Sequence, residues 1–386
     1  MIQNQNLSVV RSQAWNGAMG LAEAGVEEAL AQLNPGAVTN TVEVNLGANG
    51  WGPPSAGAYG PVARTLADGT YAVSYTTASA PVIISAGSVA LPWMSATLTR
   101  TLRVTTTNVA LCNVAFGAVN SVTMHGNGLA ADSFDSGNTN LSTNGQYDSS
   151  KTSTNGNVAS VNGPVDLGNH SIAGNLYLGP NAQYDSSTGQ VSGTIYNDFN
   201  VDYPDVVLPN VTFFPAPSTT TTINGTSYNH VFTSSRNYVV TDSGSIYVGT
   251  NVNVTVEVTA SSWDAGSVNI AGSAGNSGNL TVFMTGTSTT LGGNTTVNSG
   301  VAGNFMYFGL PSNTSVTVGG NSSYVGVIYA PEAVLTLNGG GNNNGFIGSC
   351  IVNSITMNGH YDFHYDQALG RTGPARGYLA TSWQEL

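Results

Sequence analysis

A repeat of about twenty residues near the C-terminus constrains the fold more than any other feature of the chain. Three times, a longer apolar run is followed by a short one: "NFMYFGL" by "SVTV", "YVGVIYAP" by "VLTLNG", and "GFIGSCIV" by "SITMNG". The longer runs align at Phe305, Val325 and Phe346, at intervals of 20 and 21 residues. The shorter runs align at Val316, Val334 and Ile355, at intervals of 18 and 21. Two strands per period with Gly and Asn corners are what one coil of a β-solenoid requires.

We therefore expect a mainly β protein with a right-handed parallel β-helix over residues 109–369. A β-sandwich is the alternative, because alternation of apolar residues does not set the order of the strands. The string "VNSVTMHG" (119–126) recurs as "VNSITMNG" (352–359), which supports internal repetition. Residues 129–230 lose the clean period and are expected to form an irregular excursion, with "NDFNVDYPDVVLPNVTFFPAP" as an extended crossing segment interrupted by prolines.

The polar composition fits many short strands and limits the partners. Only 7% of the residues are charged, Gly totals 48, and Lys151 is the sole lysine, so polarity is carried by Asn, Thr, Ser and Gly. With eight basic residues and a net charge of −12, the chain has no basic patch for phosphates, which argues against nucleic acid and against an anionic membrane surface. No stretch is typical of a transmembrane helix or of a secretory signal.

The N-terminal part of the chain predicts a small α+β module. Apolar and small residues recur at helical spacing from Leu7 to Leu33, and Pro35 and Gly36 end the pattern, so residues 1–35 form the helical region. Its small residues suit either a local core or an assembly helix. Alternating runs over 69–77, 81–90 and 96–107 predict an antiparallel meander within a β module spanning 36–108. Residues 370–386 are expected to form a loose tail.

The stretch "NGHYDFHYDQAL" holds the strongest candidate for a metal site. On a strand, alternate side chains share a face, which groups the residues His360, Asp362, His364 and Asp366. Imidazole and carboxylate groups of this kind ligate Zn²⁺, Mn²⁺ or Ca²⁺. The competing interpretation is a solvent-facing strand in the last coil, with Tyr361, Phe363 and Tyr365 closing the end of the solenoid.

Other polar and aromatic residues allow two interpretations each. The acidic residues of two segments would bind Ca²⁺ or form turns: Asp132 and Asp135, then Asp198, Asp202 and Asp205. Four tyrosines of the middle segment would contact a glycan or surface ligand, or pack the excursion onto the coils: Tyr147, Tyr184, Tyr196 and Tyr203. The two cysteines, Cys112 and Cys350, would form a disulfide or remain free thiols.

The sequence predicts neither a catalytic site nor a cofactor. Serine-hydrolase, P-loop and zinc-protease motifs do not occur. The alternative is a polysaccharide-active β-helix lyase or hydrolase, which would place several Asp, with Arg or Lys, in a groove across coils. Arg236 is the only arginine between Thr105 and Leu369, which disfavours that chemistry.

Several stretches together resemble a known family. "RSQAWNGAMGLAEAGVEEALAQLN" is similar to the segment after the membrane-spanning part of bacterial PilX-like proteins, which are minor pilin-like components of type IV pilus and type II secretion systems. "DSFDSGNTNLSTNGQYD", "YVGVIYAPEAVLTLNGGG" and "GFIGSCIVNSITMNGHYDFHYDQAL" are similar to the β-helical region that follows in many of them. The resemblance implies a structural or adhesive cell-envelope protein that meets other pilin-like subunits through its helix. The family's prepilin leader and apolar helix half are not found in this sequence.

Overall fold

The protein is described by a computed structural model that is mainly β, with an N-terminal helix and a small antiparallel sheet. The structure describes residues 2–34, 46–47, 49–78, 80–92, 95–125, 127–187, 189–272, 276–293, 298, 300–320, 323–339, 345–358, 361–373 and 375–386. The chain divides into two compact units. The helix unit comprises Met1–Val109 and Ala375–Leu386, and the parallel unit comprises Ala110–Pro374.

The helices are α1 (Ile2–Leu33) and α2 (Leu369–Thr372), with one 3₁₀ turn at Ala302–Asn304. The strands, in chain order, are β1 (Ala58–Leu66), β2 (Gly69–Thr76), β3 (Val82–Ala90), β4 (Thr97–Ala110), β5 (Phe116–Met124), β6 (Asn127–Phe134), β7 (Val158–Ser160), β8 (Val165–Asp166), β9 (Asn169–Ile172), β10 (Leu176–Leu178), β11 (Gln190–Val191), β12 (Ile195–Tyr196), β13 (Phe214–Pro215), β14 (Thr221–Ile223), β15 (Thr226–Tyr228), β16 (His230–Phe232), β17 (Arg236–Val240), β18 (Ile246–Val248), β19 (Asn253–Val258), β20 (Ser262–Asp264), β21 (Val268–Ile270), β22 (Asn279–Met284), β23 (Ser288–Gly293), β24 (Phe305–Gly309), β25 (Ser315–Gly320), β26 (Tyr324–Asn338), β27 (Gly345–Met357), β28 (Asp362–Asp366) and β29 (Ala375–Glu385).

The helix unit contains the predicted antiparallel meander, extended at both edges. The runs over 69–77, 81–90 and 96–107 become β2, β3 and β4, and the sheet order is β1-β2-β3-β4-β29. The expectation of a loose C-terminal tail was wrong, because β29 is the last strand of this sheet. Glu385 accepts hydrogen bonds from Arg100 Nε and Nη2 at 2.6 and 2.5 Å. The Asn34 side chain donates a hydrogen bond to the Tyr378 carbonyl and accepts one from the Tyr378 backbone N–H.

Small residues let α1 lie close against this sheet. Ala18 and Ala22 are fully buried, and a side chain at Gly87 on β3 would collide with the backbone of both. Contacts of α1 are with β2, β3 and β29. From Ala14 onward the small face therefore forms a local core, one of the two interpretations that the sequence allowed. No helix among the described residues is both long enough and apolar enough to cross a membrane.

The parallel unit is built from rows of parallel strands. The longest row runs β13-β17-β19-β22-β24-β26-β27-β5-β7-β10-β12, with each neighbouring pair parallel. A second row runs β20-β23-β25-β26-β27-β5-β8, and a third runs β28-β6-β9-β11. Strands β26, β27 and β5 enter two rows. In β26 and β27 the register shifts at the junction, between Ala330 and Val334 and between Val352 and Ser354.

The first strand of the longest row in chain order, β5, lies inside the row and not at its edge. From β5 the strands continue outward to β12, and from β13 they return to β27, which pairs with β5. This contact, which we call the seam, places the two similar strings side by side: Ser354 is opposite Ser121 and Met357 is opposite Met124. Their likeness follows from neighbouring positions in one sheet. The expected excursion over 129–230 was therefore wrong in part, because β7 to β12 belong to the rows.

The connection between β12 and β13 spans the row from end to end. Ten strand spacings of about 4.8 Å require roughly 48 Å, and the 17 residues from 197 to 213 reach about 56 Å when fully extended. The segment must therefore run nearly straight, as its prolines predicted. Midway, the Tyr329 hydroxyl on β26 donates to the Pro204 carbonyl at 2.7 Å.

The register corrects one part of the sequence alignment. Val316 on β25 is opposite Leu335 on β26, and Leu335 is opposite Ile355 on β27. Val334, which the repeat had aligned with these residues, lies one position away and is 41% exposed, whereas Leu335 is fully buried. A shift of one residue moves a side chain to the other face of a strand, so the true interval is 19 and then 20 residues.

A ladder of aromatic rings crosses the seam. Ring centroids are 5.8 Å apart for Phe305 and Tyr324, 4.6 Å for Tyr324 and Phe346, 5.1 Å for Phe346 and Phe363, and 4.4 Å for Phe363 and Phe116. All five side chains are buried. Such pairs contribute about 0.5–1.5 kcal/mol each beyond the burial of their area. The ladder therefore joins the returning strands to β5 across the seam.

Candidate functional site

Strand β28 carries the residues that the sequence proposed as metal ligands. His360 lies outside the described residues. Asp362 is half-buried, whereas His364 and Asp366 are buried, as are Phe363 and Tyr365 on the other face. β28 pairs with β27 on one side and with β6 on the other, so it lies inside the rows. The interpretation of this stretch as a solvent-facing strand closing the end of the solenoid was wrong.

His364 is part of a three-residue polar cluster. Its Nδ1 donates to Asp132 Oδ1 at 2.6 Å, and the Tyr147 hydroxyl donates to Asp132 Oδ2 at 2.9 Å. The Tyr147 ring stacks on the imidazole with centroids 3.7 Å apart. Burial, followed by the charge of Asp132, raises the pKa of Tyr147. The cluster joins β6, β28 and the loop 135–157, and it unites residues that the sequence had placed in separate candidate sites.

Two further carboxylates fix the start of the same loop. Asp135 accepts hydrogen bonds from Arg371 Nη2 at 2.7 and 2.9 Å and from the Gly137 backbone at 3.0 Å. Asp366 Oδ1 accepts from the backbone N–H groups of Ser136 and Ala368 at 3.0 and 3.1 Å. Burial raises the pKa of Asp366, and these hydrogen bonds partly oppose that rise. Buried carboxylates with partners of this kind hold a loop in place.

This arrangement is better suited to structure than to metal binding. Both oxygens of Asp132 already accept hydrogen bonds, so a metal ion would compete there with His364 and Tyr147. Within the described part of the chain, no three His, Cys, Asp or Glu residues are grouped as metal ligands. The second acidic segment is separate: Asp198, Asp202 and Asp205 are exposed on the connection between β12 and β13.

The four candidate tyrosines have different environments. Tyr147 belongs to the polar cluster, Tyr203 is buried, and Tyr184 is half-buried and forms a bridge with Val165. Tyr196 is 40% exposed and stacks on Tyr177 with centroids 5.1 Å apart and planes 9° apart. Tyr196 alone of the four therefore offers a broad exposed ring.

Both cysteines are buried free thiols in the structure. Burial raises the pKa of Cys112 to about 12 and also raises that of Cys350. A thiol with so high a pKa is a poor nucleophile and a poor metal ligand at neutral pH. The pair has the character of core residues rather than of a reactive site.

Sequence reasoning missed Arg371 and Gln367, which bond residues at the start of the loop 135–157 and beside it. Gln367 Nε2 donates to the hydroxyls of Ser133 and Ser153 at 3.2 and 2.6 Å. Gln367 follows β28 directly and Arg371 lies in α2, and polar residues soon after a buried strand were the one available signal. Their partners lie more than 200 positions earlier, beyond the reach of local pattern.

Comparisons with known proteins give limited matches. A family model described as "Domain of unknown function (DUF7305)" matches residues 210–372, from just before β13 to the end of α2. No curated protein matches the sequence significantly. Among solved structures, the crystal structure of the competence-associated pilin ComZ from Thermus thermophilus matches over 96% of this chain and 97% of that chain, with 12% identity and a TM-score of 0.34. A TM-score of that size does not establish a shared fold.

Proposed function

We propose that this protein is a non-catalytic structural subunit of the cell envelope, a minor pilin-like component of a type IV pilus or a type II secretion-like system. In this role α1 joins the protein to other pilin-like subunits, and the parallel unit is displayed as a β-solenoid. The resemblance of the α1 sequence to PilX-like proteins motivates the proposal. The observation that carries it is that α1 exposes apolar residues near its start and buries apolar residues farther along the helix.

The first turns of α1 with described side chains expose two apolar residues. Leu7 and Val9 are exposed, Val9 by 55%, whereas Leu21, Val26 and Leu33 are buried in the core against the sheet. Exposed apolar residues that lie close together mark surfaces for interaction with another protein. A helix that packs against its own sheet at one end and exposes apolar residues at the other is suited to packing against helices of neighbouring subunits.

The proposed solenoid is supported by the parallel rows. Their strands pair in parallel at intervals near one coil length, as in Tyr324 opposite Phe346 and Ser315 opposite Val334. A β-sandwich would require antiparallel pairing instead. Buried aromatic ladders and few charges give a stiff body whose surface is polar without being charged.

The enzyme alternative has less support. Asp198 and Asp202, its best candidates, lie exposed on the connection between β12 and β13. Asp132, Asp135 and Asp366 are engaged in holding the loop 135–157. A glycan or another surface ligand is the partner that we propose for the displayed unit.

Site-specific photo-crosslinking in the native cells tests the assembly role. A benzophenone amino acid would replace Val9 or, as a matched exposed valine, Val334 on β26. We expect Val9 to crosslink to pilin-like subunits, identified by mass spectrometry, and Val334 to give none of these products. Absence of such products at Val9, or the same products at both positions, would refute assembly through α1.

A further inference from the structure

A cleft of about 390 Å³ lies between the hairpin β14–β15 and the strands β18 and β21. It is lined by Ile223 and Asn224 from the hairpin, by Tyr228, and by Tyr247 and Asn269 from the two parallel strands. Its volume is within the ~300–1,000 Å³ typical of small-molecule sites. The sequence had not indicated it.

Strand register builds the floor of this cleft. Tyr247 and Asn269 are direct neighbours on β18 and β21. Ile246 and Val248, on either side of Tyr247, are fully buried, so alternation turns Tyr247 toward the cleft. Tyr228 is buried beside it, with ring centroids 5.4 Å apart and planes at 55°, and this contact restricts the Tyr247 ring. The half-buried Tyr247 ring therefore has a restricted orientation.

The hairpin turn forms the opposite wall. Asn224 and Gly225 at its tip have φ values of +50° and +82°, the pair of positive angles that tight hairpin turns require. Thr221 to Ile223 pair with Thr226 to Tyr228, which fixes the turn to the strand that carries Tyr228. The Asn224 amide is thus presented from a rigid turn.

The chemistry of the lining selects a class of ligand. No lining residue is charged, so the cleft offers nothing to an ion or a charged peptide. Among the described residues, none makes a hydrogen bond with the side chains of Asn224, Tyr247 or Asn269. Each amide presents both donors and an acceptor, which is the pattern that pairs with sugar hydroxyl groups. The face of a tyrosine ring accepts the apolar C–H face of a pyranose.

We propose that this cleft binds a neutral oligosaccharide. Tyr247 stacks against one sugar ring, and Asn269 and Asn224 bond the hydroxyl groups at its two edges. Binding requires no bond making or breaking and no metal. The site gives a location to the glycan partner proposed above, and it does not depend on assembly through α1.

Saturation-transfer NMR with the full chain tests this inference. The probes are maltotetraose, cellotetraose, chitotetraose and mannotetraose, with trigalacturonate as a charged comparison. We expect at least one neutral tetrasaccharide to bind and trigalacturonate to give no signal. Failure of all four neutral probes, or binding of trigalacturonate alone, would overturn the proposal while leaving the crosslinking result unaffected.

Substitutions locate the binding. For the neutral sugar that binds, Tyr247→Ala should weaken binding about tenfold, which corresponds to ~1.4 kcal/mol, and Tyr247→Phe should retain most of it. Asn269→Ala should also weaken binding. The matched control is Tyr196→Ala, which removes an exposed stacked tyrosine elsewhere and should change affinity less than about twofold. Unchanged binding in both cleft variants, with native thermal unfolding, would refute the site.

Discussion

Phe363 on β28 links the aromatic rings of the two strands that form the seam, and its truncation tests the fold. The side chain is buried, and its ring lies between Phe116 on β5 and Phe346 on β27, with centroids 4.4 and 5.1 Å away. Truncating a buried Phe to Ala costs about 3–5 kcal/mol. Because two aromatic pairs are lost together, we expect Phe363→Ala to cost at least about 4 kcal/mol.

Phe214→Ala is the matched control. Phe214 is 37% exposed on β13, and its ring contact is the Arg236 guanidinium 3.3 Å above it. An exposed cation–π contact contributes about 0.5–1 kcal/mol, so this variant should lose only about 1 kcal/mol. At about 2–4 °C per kcal/mol for a unit of this size, Phe363→Ala should lower Tm by about 8–16 °C and Phe214→Ala by a few degrees.

Calorimetry supplies Tm, and hydrogen exchange shows where the loss occurs. In Phe363→Ala, amide protection should fall first in peptides that cover β5, β27 and β28, since these strands meet at the seam. Equal Tm losses in the two variants, or protection lost equally in β17 and β19, would show that β28 is not an interior strand. The conclusion that β5 lies inside the longest row and pairs there with β27 would then be refuted.

Three other measurements test the remaining groups. Burial, followed by the hydrogen bond to Glu28, raises the pKa of Tyr71 to about 12, so Tyr71 stabilises the fold fully below pH ~10, and this contribution is lost as the pH rises toward 12. Urea titrations should show Tyr71→Phe less stable than the parent by about 1.5–3 kcal/mol at pH 7 and a gap that narrows above pH 10, whereas a constant gap would contradict the assignment. Ellman's reagent should react with neither Cys112 nor Cys350 in the native protein and with both in urea without reductant. If no thiol reacts in urea, the two cysteines form a disulfide. EDTA should leave Tm unchanged within about 1 °C, because both oxygens of Asp132 already have partners, and a drop of several degrees would indicate a bound metal.

Much of the local structure was predictable because periodicity reports which side chains face a core. The helix over 7–33, the three meander strands and the two-strand period follow from that signal alone. β29 was missed because its apolar residues lie on both faces: Leu379 and Trp383 are exposed, and Tyr378 and Ala380 pack partly buried on the core, so the pattern does not indicate which face is buried. Its place is set instead by ion pairing and hydrogen bonding to strands almost 300 positions earlier.

The candidate site shows the same limit. Asp132, Tyr147 and His364 were each recognised as unusual from their neighbours in sequence, yet the 232 positions between Asp132 and His364 hid their contact. Acidic residues in Asn- and Gly-rich loops are typical of both turns and cation sites. Only the position of β28 between β27 and β6 shows that these groups bond one another.

The seam also has a consequence for folding. β27 and β28 are the last strands of the parallel unit to be synthesised, so β5 and β6 lack these partners until almost the whole unit exists. Closing contacts so distant in sequence is entropically costly and slow. The two similar strings reduce the ambiguity of that closure, because the Asn120 amide donates to Asn353 at 3.0 Å and the Ser121 hydroxyl to Ser354 at 3.2 Å in a single register. Like residues on neighbouring strands thus specify where the end of the parallel unit rejoins its beginning.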